Sequence, residues 1–278
     1  MKMGQATGLQ VAFIAYGVML LAVPLARALV QGAALEGWLR LLVVKGAHFF
    51  LAGLLILAIA PVRRSVAEML RASVPRSMRA EVAAVGILKL VAAFGGIAAL
   101  ALWFRTEYGA GWAARMAVDA DREIANAFSG PGLVFLLLSS TIGPFVEEVV
   151  FRGFIFRAFE RQWGWVVSLL ATSALFGIYH AHFWSAFTGS VILVCLLRRT
   201  GSLRGLILVH MLFNFLLWPP LLGQYAFPAG TLTEPSTWVF HGACLGFALI
   251  AVPVYVYMSR DQRIAPTMFL EPNGAFQK

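Results

Sequence analysis

Apolar residues run along this chain in stretches long enough to cross a lipid bilayer. Eight stand out: Leu9 to Val30, Leu41 to Ala60, Val82 to Phe104, Gly132 to Phe159, Trp163 to His182, Phe183 to Leu197, Leu203 to Leu222 and Trp238 to Met258. A hydrocarbon core takes about 20 apolar residues as a helix. Runs this continuous favour helices over a membrane β-barrel, whose strands alternate in segments of about ten residues. The pattern predicts an all-α, polytopic membrane protein with about eight transmembrane helices. The sixth run is short, about 22 Å of helix at 1.5 Å per residue. It and the fifth run form either two full spans or a shallow hairpin with its tip around His180 and His182.

Composition agrees, with 60% of residues hydrophobic and 13% charged, against roughly 25% charged for a soluble domain. The net charge of +9 raises nucleic acid as a partner, but the placement of the basic residues has a simpler cause. Arg63, Arg64, Arg71, Arg76 and Arg79 lie between the second and third runs, Arg157 and Arg161 follow the fourth, and Arg198, Arg199 and Arg204 separate the sixth from the seventh. With the N-terminus inside, all these loops are cytoplasmic, as the positive-inside rule requires. The expectation is a multi-pass protein of a bacterial inner membrane with both termini cytoplasmic, the bilayer as its solvent and no nucleic acid as partner.

The chain divides into N-terminal membrane helices and connecting loops over 1–130, a polar-bearing membrane core over 131–222, and a last helix with a cytoplasmic tail over 223–278. Val62 to Met78 mixes arginines with Val66, Met69, Leu70 and Val74 at helical spacing. That reads as an amphipathic helix on the cytoplasmic face, or as a solvated basic linker. The first run exceeds the roughly 7 to 15 residues of a signal h-region, so it is expected to stay as a span despite Ala26-Arg27-Ala28. Cys195 and Cys244 form no close-spaced pair and read as small hydrophobes.

The chemistry concentrates in three of the runs. In the fourth, Glu147 and Glu148 are neighbours about 100° apart on a helix, while Glu148 and Arg152 share one face in the favourable i,i+4 order. An ion pair there would leave Glu147 for chemistry. Phe176 and His180 are four apart in the fifth run, and His210 and Asn214 are four apart in the seventh. Ionisable residues inside a membrane are costly and usually functional. Convergence of these edges would supply a carboxylate that activates water, a histidine to share it, and His210 with Asn214 as hydrogen-bond donors to an oxyanion.

The pattern E-E-x-x-x-R, F-x-x-x-H and H-x-x-x-N, each in its own span, resembles the CAAX-protease and bacteriocin-processing (CPBP) family of glutamic-type intramembrane endopeptidases. The matching positions are Glu147, Glu148 and Arg152, then Phe176 and His180, then His210 and Asn214. The resemblance implies hydrolysis of a peptide bond in a membrane-associated protein or precursor peptide. Glu147 and His180 would activate water, His210 and Asn214 would form the oxyanion hole, and Glu148, Arg152 and Phe176 would support the site. No cofactor is expected, and zinc is the runner-up. Zinc has histidines and glutamates to use, but no H-E-x-x-H is present and Asn214 is a poor ligand. The rival class is a transporter, or a peptide-binding or immunity protein, using the same cavity without chemistry. Lys45, His48, Lys89, His182 and His241 match no motif and read as packing, snorkelling or interfacial groups.

Overall fold

The computed structural model describes residues 3–30, 37–111, 130–180, 183–217 and 235–261. Among them every regular element is helical, so the fold is all-α. In chain order the helices are α1 (Met3–Val30), α2 (Gly37–Ala58), α3 (Ala60–Arg71), α4 (Arg79–Tyr108), α5 (Gly130–Ser140), α6 (Ile142–Glu147), α7 (Arg157–Tyr179), α8 (Phe183–Thr200), α9 (Leu203–Leu217) and α10 (Pro235–Ser259). A π-helix, Glu148–Phe156, joins α6 to α7. Inside α7, Gly164 has a φ of 75° and ends one helical run before the next begins, a conformation open to glycine at little cost.

The distribution of polarity is that of a protein solvated by lipid. Ile14, Leu21, Leu54, Leu170, Val239, Leu249 and Ile250 are exposed, while Lys89, Glu147, Glu148, Arg152, Arg157 and His210 are buried. In water the preference runs the other way. Among the described residues Val239–Ser259 is a helix long and apolar enough to cross a membrane. The pair Phe49–Ala58 and Val62–Arg71, bent by 98°, is a second candidate if it counts as one span. The run that holds the glutamates is interrupted by a turn at Thr141 and carries four charged groups, Glu147, Glu148, Arg152 and Arg157, and the next begins at the break of Gly164.

The short sixth run proves to be the core helix. Ten consecutive residues of α8, Gly189 to Arg198, are buried, as in a helix that is apolar all round. It packs against α4, α7, α9, α10 and the π-helix, and pairs with α7 as a helical hairpin. His182, at the hairpin's expected tip, lies outside the described residues, as do the tail beyond Asp261 and most of the loop after α4. The π-helix is equally central, touching α1, α3, α7, α8 and α9. Gly153 lets α3 approach it, for a Cβ there would lie 3.2 Å from Met69 Sδ.

The amphipathic reading of the basic segment holds for its first half. Val62, Val66 and Met69 are buried on α3 while Arg63, Arg64 and Arg71 are exposed. The helix ends at Arg71, short of Met78, because Pro75 follows and restricts the residue before it.

Arginines of α8 gather four helix ends at one end of the bundle. Arg198 donates to the carbonyls of Ser259 (3.2 Å) and Arg260 (3.1 Å) and pairs with Glu160. Arg199 donates to the carbonyl of Met258 (3.0 Å) and to Glu81 at the start of α4 (2.9 Å). Carbonyls at a helix C-terminus lack intrahelical partners and favour cations. Burial works against a charge on Glu81, which lies just before the apolar run. Hydrogen bonds from Arg199 and Tyr255 and the charge of Arg199 outweigh it, and hold the carboxyl below its ordinary value of 4.5.

A depressed carboxyl contributes stability above its unfolded pKa and loses it as pH falls through the folded value. Thermal unfolding in detergent should therefore show wild type losing more of its Tm than Glu81→Gln between about pH 5 and pH 2. Parallel pH curves would mean that the Glu81–Arg199 pair contributes nothing to stability.

Candidate active site

The seven residues singled out in the sequence come from the α6–π-helix junction, α7 and α9. Glu147 is the last residue of α6 and Glu148 the first of the π-helix, and both are buried. Arg152 donates to Glu148 Oε1 at 3.1 Å, the i,i+4 pair expected from the spacing. The same oxygen accepts from His210 Nδ1 at 2.7 Å. Glu148 thus anchors a cation on its own helix and a ring on α9.

His210 also reaches the other acid, with Nε2 3.7 Å from Glu147 Oε2. The two glutamates, read from the sequence as facing different ways, meet at one imidazole. Because an ionised carboxylate only accepts, Nδ1 must carry the proton given to Glu148. The Nε2 edge faces Glu147.

Phe176 is the surface on which the motifs meet. Its ring lies 4.3 Å from the Arg152 guanidinium, 4.3 Å from the His180 ring centroid and 6.1 Å from that of His210. Phe151 closes on it edge-on at 5.0 Å. Tyr16 of α1 packs edge-on against Phe151 at 5.5 Å and donates to the carbonyl of Leu175 at 3.0 Å, which ties the first helix to this platform. A cation over an aromatic face gains about 0.5 to 2 kcal/mol, most where water is excluded.

His180 closes α7. Its Nδ1 donates to the carbonyl of Phe176 at 2.8 Å. A carbonyl cannot donate, so the neutral ring is protonated on Nδ1 and Nε2 is its acceptor. Asn214, one turn beyond His210, donates from Nδ2 to the carbonyl of Ser139 at 3.1 Å. That bond fixes which side-chain atom is nitrogen, and it joins α9 to the last turn of α5.

Lys89 belongs to this neighbourhood as well. It matches no motif, yet it is buried, with Nζ 3.8 Å from the centre of the Phe213 ring. The available signal was a lone lysine well inside an apolar run. His241 is a core histidine bonded to the carbonyl of Phe94 at 3.0 Å. The side chains of Lys45 and His48 lie outside the described residues. Among the described residues no group of three or more His, Cys, Asp or Glu is arranged to hold a metal ion.

Residues 129–216 match the family model described as type II CAAX prenyl endopeptidase Rce1-like, and all seven motif residues fall within that segment. No curated protein and no solved structure matches the chain.

Breaking a buried ion pair from one side typically costs about 3 to 5 kcal/mol, because the other charge is left uncompensated. Glu148→Ala and Arg152→Ala should each lower stability by that order in detergent unfolding. Replacing both by methionine should cost less than the worse single change. If both single variants unfold like wild type, the pair is not the site's anchor.

Proposed function

From the match of residues 129–216 to the family model of Rce1-like type II CAAX prenyl endopeptidases, we propose that this protein is an intramembrane endopeptidase of the glutamic type. The observation that carries the reading is the single imidazole of His210 held between two buried glutamates, with His180 on the adjoining platform. Glu147 is the carboxylate that takes a proton from water, since Glu148 is already committed to Arg152 and His210. His180, with its acceptor Nε2, shares that water. Asn214 places one amide N–H on Ser139 and has a second for the oxyanion of the tetrahedral intermediate. Glu147 Oε2 is placed to pass the proton it took from water to His210 Nε2, which then donates to the oxyanion. As the intermediate collapses the C–N bond breaks and that proton, returned through Glu147, goes to the leaving amine.

Metal independence belongs to the same reading. Both histidines commit Nδ1 to protein acceptors, and Asn214 serves as a donor. A zinc site would need at least three ligands turned to one point. The inverted polarity of the bundle supports a membrane-embedded protein, for which this reading keeps about eight spans and both termini on the cytoplasmic face. A bacterial inner membrane fits that assignment. The substrate class is a membrane-associated protein or peptide.

Purified protein in lipid nanodiscs, offered a farnesylated CAAX-ended peptide and its unprenylated counterpart, tests the chemistry. Terminal-peptide mass spectrometry of host membranes with wild type or Glu147→Ala tests for native substrates. Glu147→Ala and His180→Ala should abolish cleavage, and Asn214→Ala should slow it about 100- to 1,000-fold. Exhaustive chelation should leave wild type fully active. Near-normal turnover in Glu147→Ala would sink the mechanism, and activity lost on chelation and restored by zinc alone would transfer it to a metalloprotease.

A further inference from the structure

Lysine is almost never fully buried unless it is paired, because an uncompensated charge in an apolar interior is very costly. Lys89 on α4 is 4% exposed, so it keeps its charge only where the fold supplies negative charge nearby. Among the described residues the buried carboxylates are Glu147 and Glu148. Both lie within electrostatic reach of Lys89, together with the cationic Arg152. The same holds for the His210 ring.

Packing explains why the lysine points inward. Its stem runs over Gly189 of α8, where a Cβ would lie 3.3 Å from Lys89 Cε. Its ammonium rests on Phe213 of α9, which stands between His210 and Asn214 in the sequence. Three helices thus guide one cation to the edge of the glutamate pair. Of the two acids, Glu148 already has Arg152 and His210 in direct contact. Glu147 Oε2 is buried without a hydrogen bond among the described residues, and Arg152 and Lys89 both act on it from beyond contact distance.

We propose that Lys89 is a positioning residue of the site, the counter-cation that balances Glu147 and keeps the carboxylate in its ionised, proton-accepting form. The inference extends the proteolytic reading and brings into the site a helix outside the segment that matches the family. Two carboxylates then face two basic side chains, Arg152 on the π-helix and Lys89 on α4. Lys89 touches neither water nor peptide bond in this role. It acts through Glu147.

The test is a double-mutant cycle read by thermal unfolding in detergent, run beside cleavage of the farnesylated peptide. Lys89→Met should lower Tm in the wild-type background and have at most half that effect in the Glu147→Gln background. Where protein remains folded, Lys89→Met should lower kcat roughly 10- to 100-fold, the size expected of a unit charge acting from beyond contact distance at an effective dielectric of about 20. KM should stay within about 2-fold, as for a group that acts on the chemical step alone. Lys89→Arg, which keeps the charge, should recover most of both losses. Additive Tm shifts, or a Lys89→Met enzyme with unchanged kcat, overturn the proposal. Coupled Tm shifts in a protein that cleaves no peptide would instead defeat the proteolytic reading and leave Lys89 as the partner of Glu147.

Discussion

A carboxylate sealed from solvent at Glu148 has to be neutralised from inside the protein, and the mutual placement of three helical segments follows from how that is done. Arg152 reaches it from the same π-helix and His210 from α9, both on one oxygen. The guanidinium then has a face left over, and Phe176 of α7 covers it at 4.3 Å. Rotating α9 would withdraw the imidazole, and rotating α7 would uncover the arginine. The apolar contacts around the site tolerate small slips of this kind, because dispersion is non-directional. The charge-assisted bonds do not, and so they fix the register. This is specificity more than stability, since a buried ion pair seldom adds net free energy over well-packed apolar residues.

The irregular backbone at the junction serves the same end. Glu147 closes an α-helix and Glu148 opens a π-helix. A π-turn holds more residues than an α-turn, so successive side chains diverge by a smaller angle. Two adjacent acids at this junction both meet His210, at 2.7 and 3.7 Å. π-Helical segments are found mostly at functional positions. In lipid such a distortion is tolerated only where protein surrounds it, and here α1, α3, α7, α8 and α9 do so.

Much of the site was legible in the residues because its partners are local. Glu148 and Arg152 are one turn apart, and a charged pair within an apolar run has few ways to satisfy itself. Phe176 with His180 and His210 with Asn214 are likewise one-turn spacings. The all-α class followed from apolar run length for the same reason. What could not be read is relational. No spacing brings His210 to Glu148 across 62 positions. No spacing shows that Lys89 faces inward, because a lysine seven residues past the start of an apolar run is as compatible with snorkelling. The short run at Phe183 to Leu197 is compatible with a full span or with half of a shallow hairpin, and neither reading reveals that it is the helix around which others pack. A uniformly apolar sequence has no periodicity to distinguish lipid from protein as its neighbour. The π-helix left no compositional mark.

The two histidines illustrate how hydrogen-bond direction assigns work that residue identity leaves open. Both give the Nδ1 proton to a fixed acceptor, a carbonyl for His180 and a carboxylate for His210. The acceptors differ in charge, and the difference matters in the proposed reaction. A carbonyl orients His180 without favouring a second proton, which suits a ring whose Nε2 must accept from water. The carboxylate of Glu148 holds the ring of His210 with its Nε2 edge toward Glu147, the edge that faces an oxyanion in that reaction. Glu147 stands beside the very nitrogen that needs the proton. In the proposed reaction the acid that gains a proton from water would thus lie next to the ring that uses it when negative charge develops, a path of 3.7 Å that need not pass through bulk water.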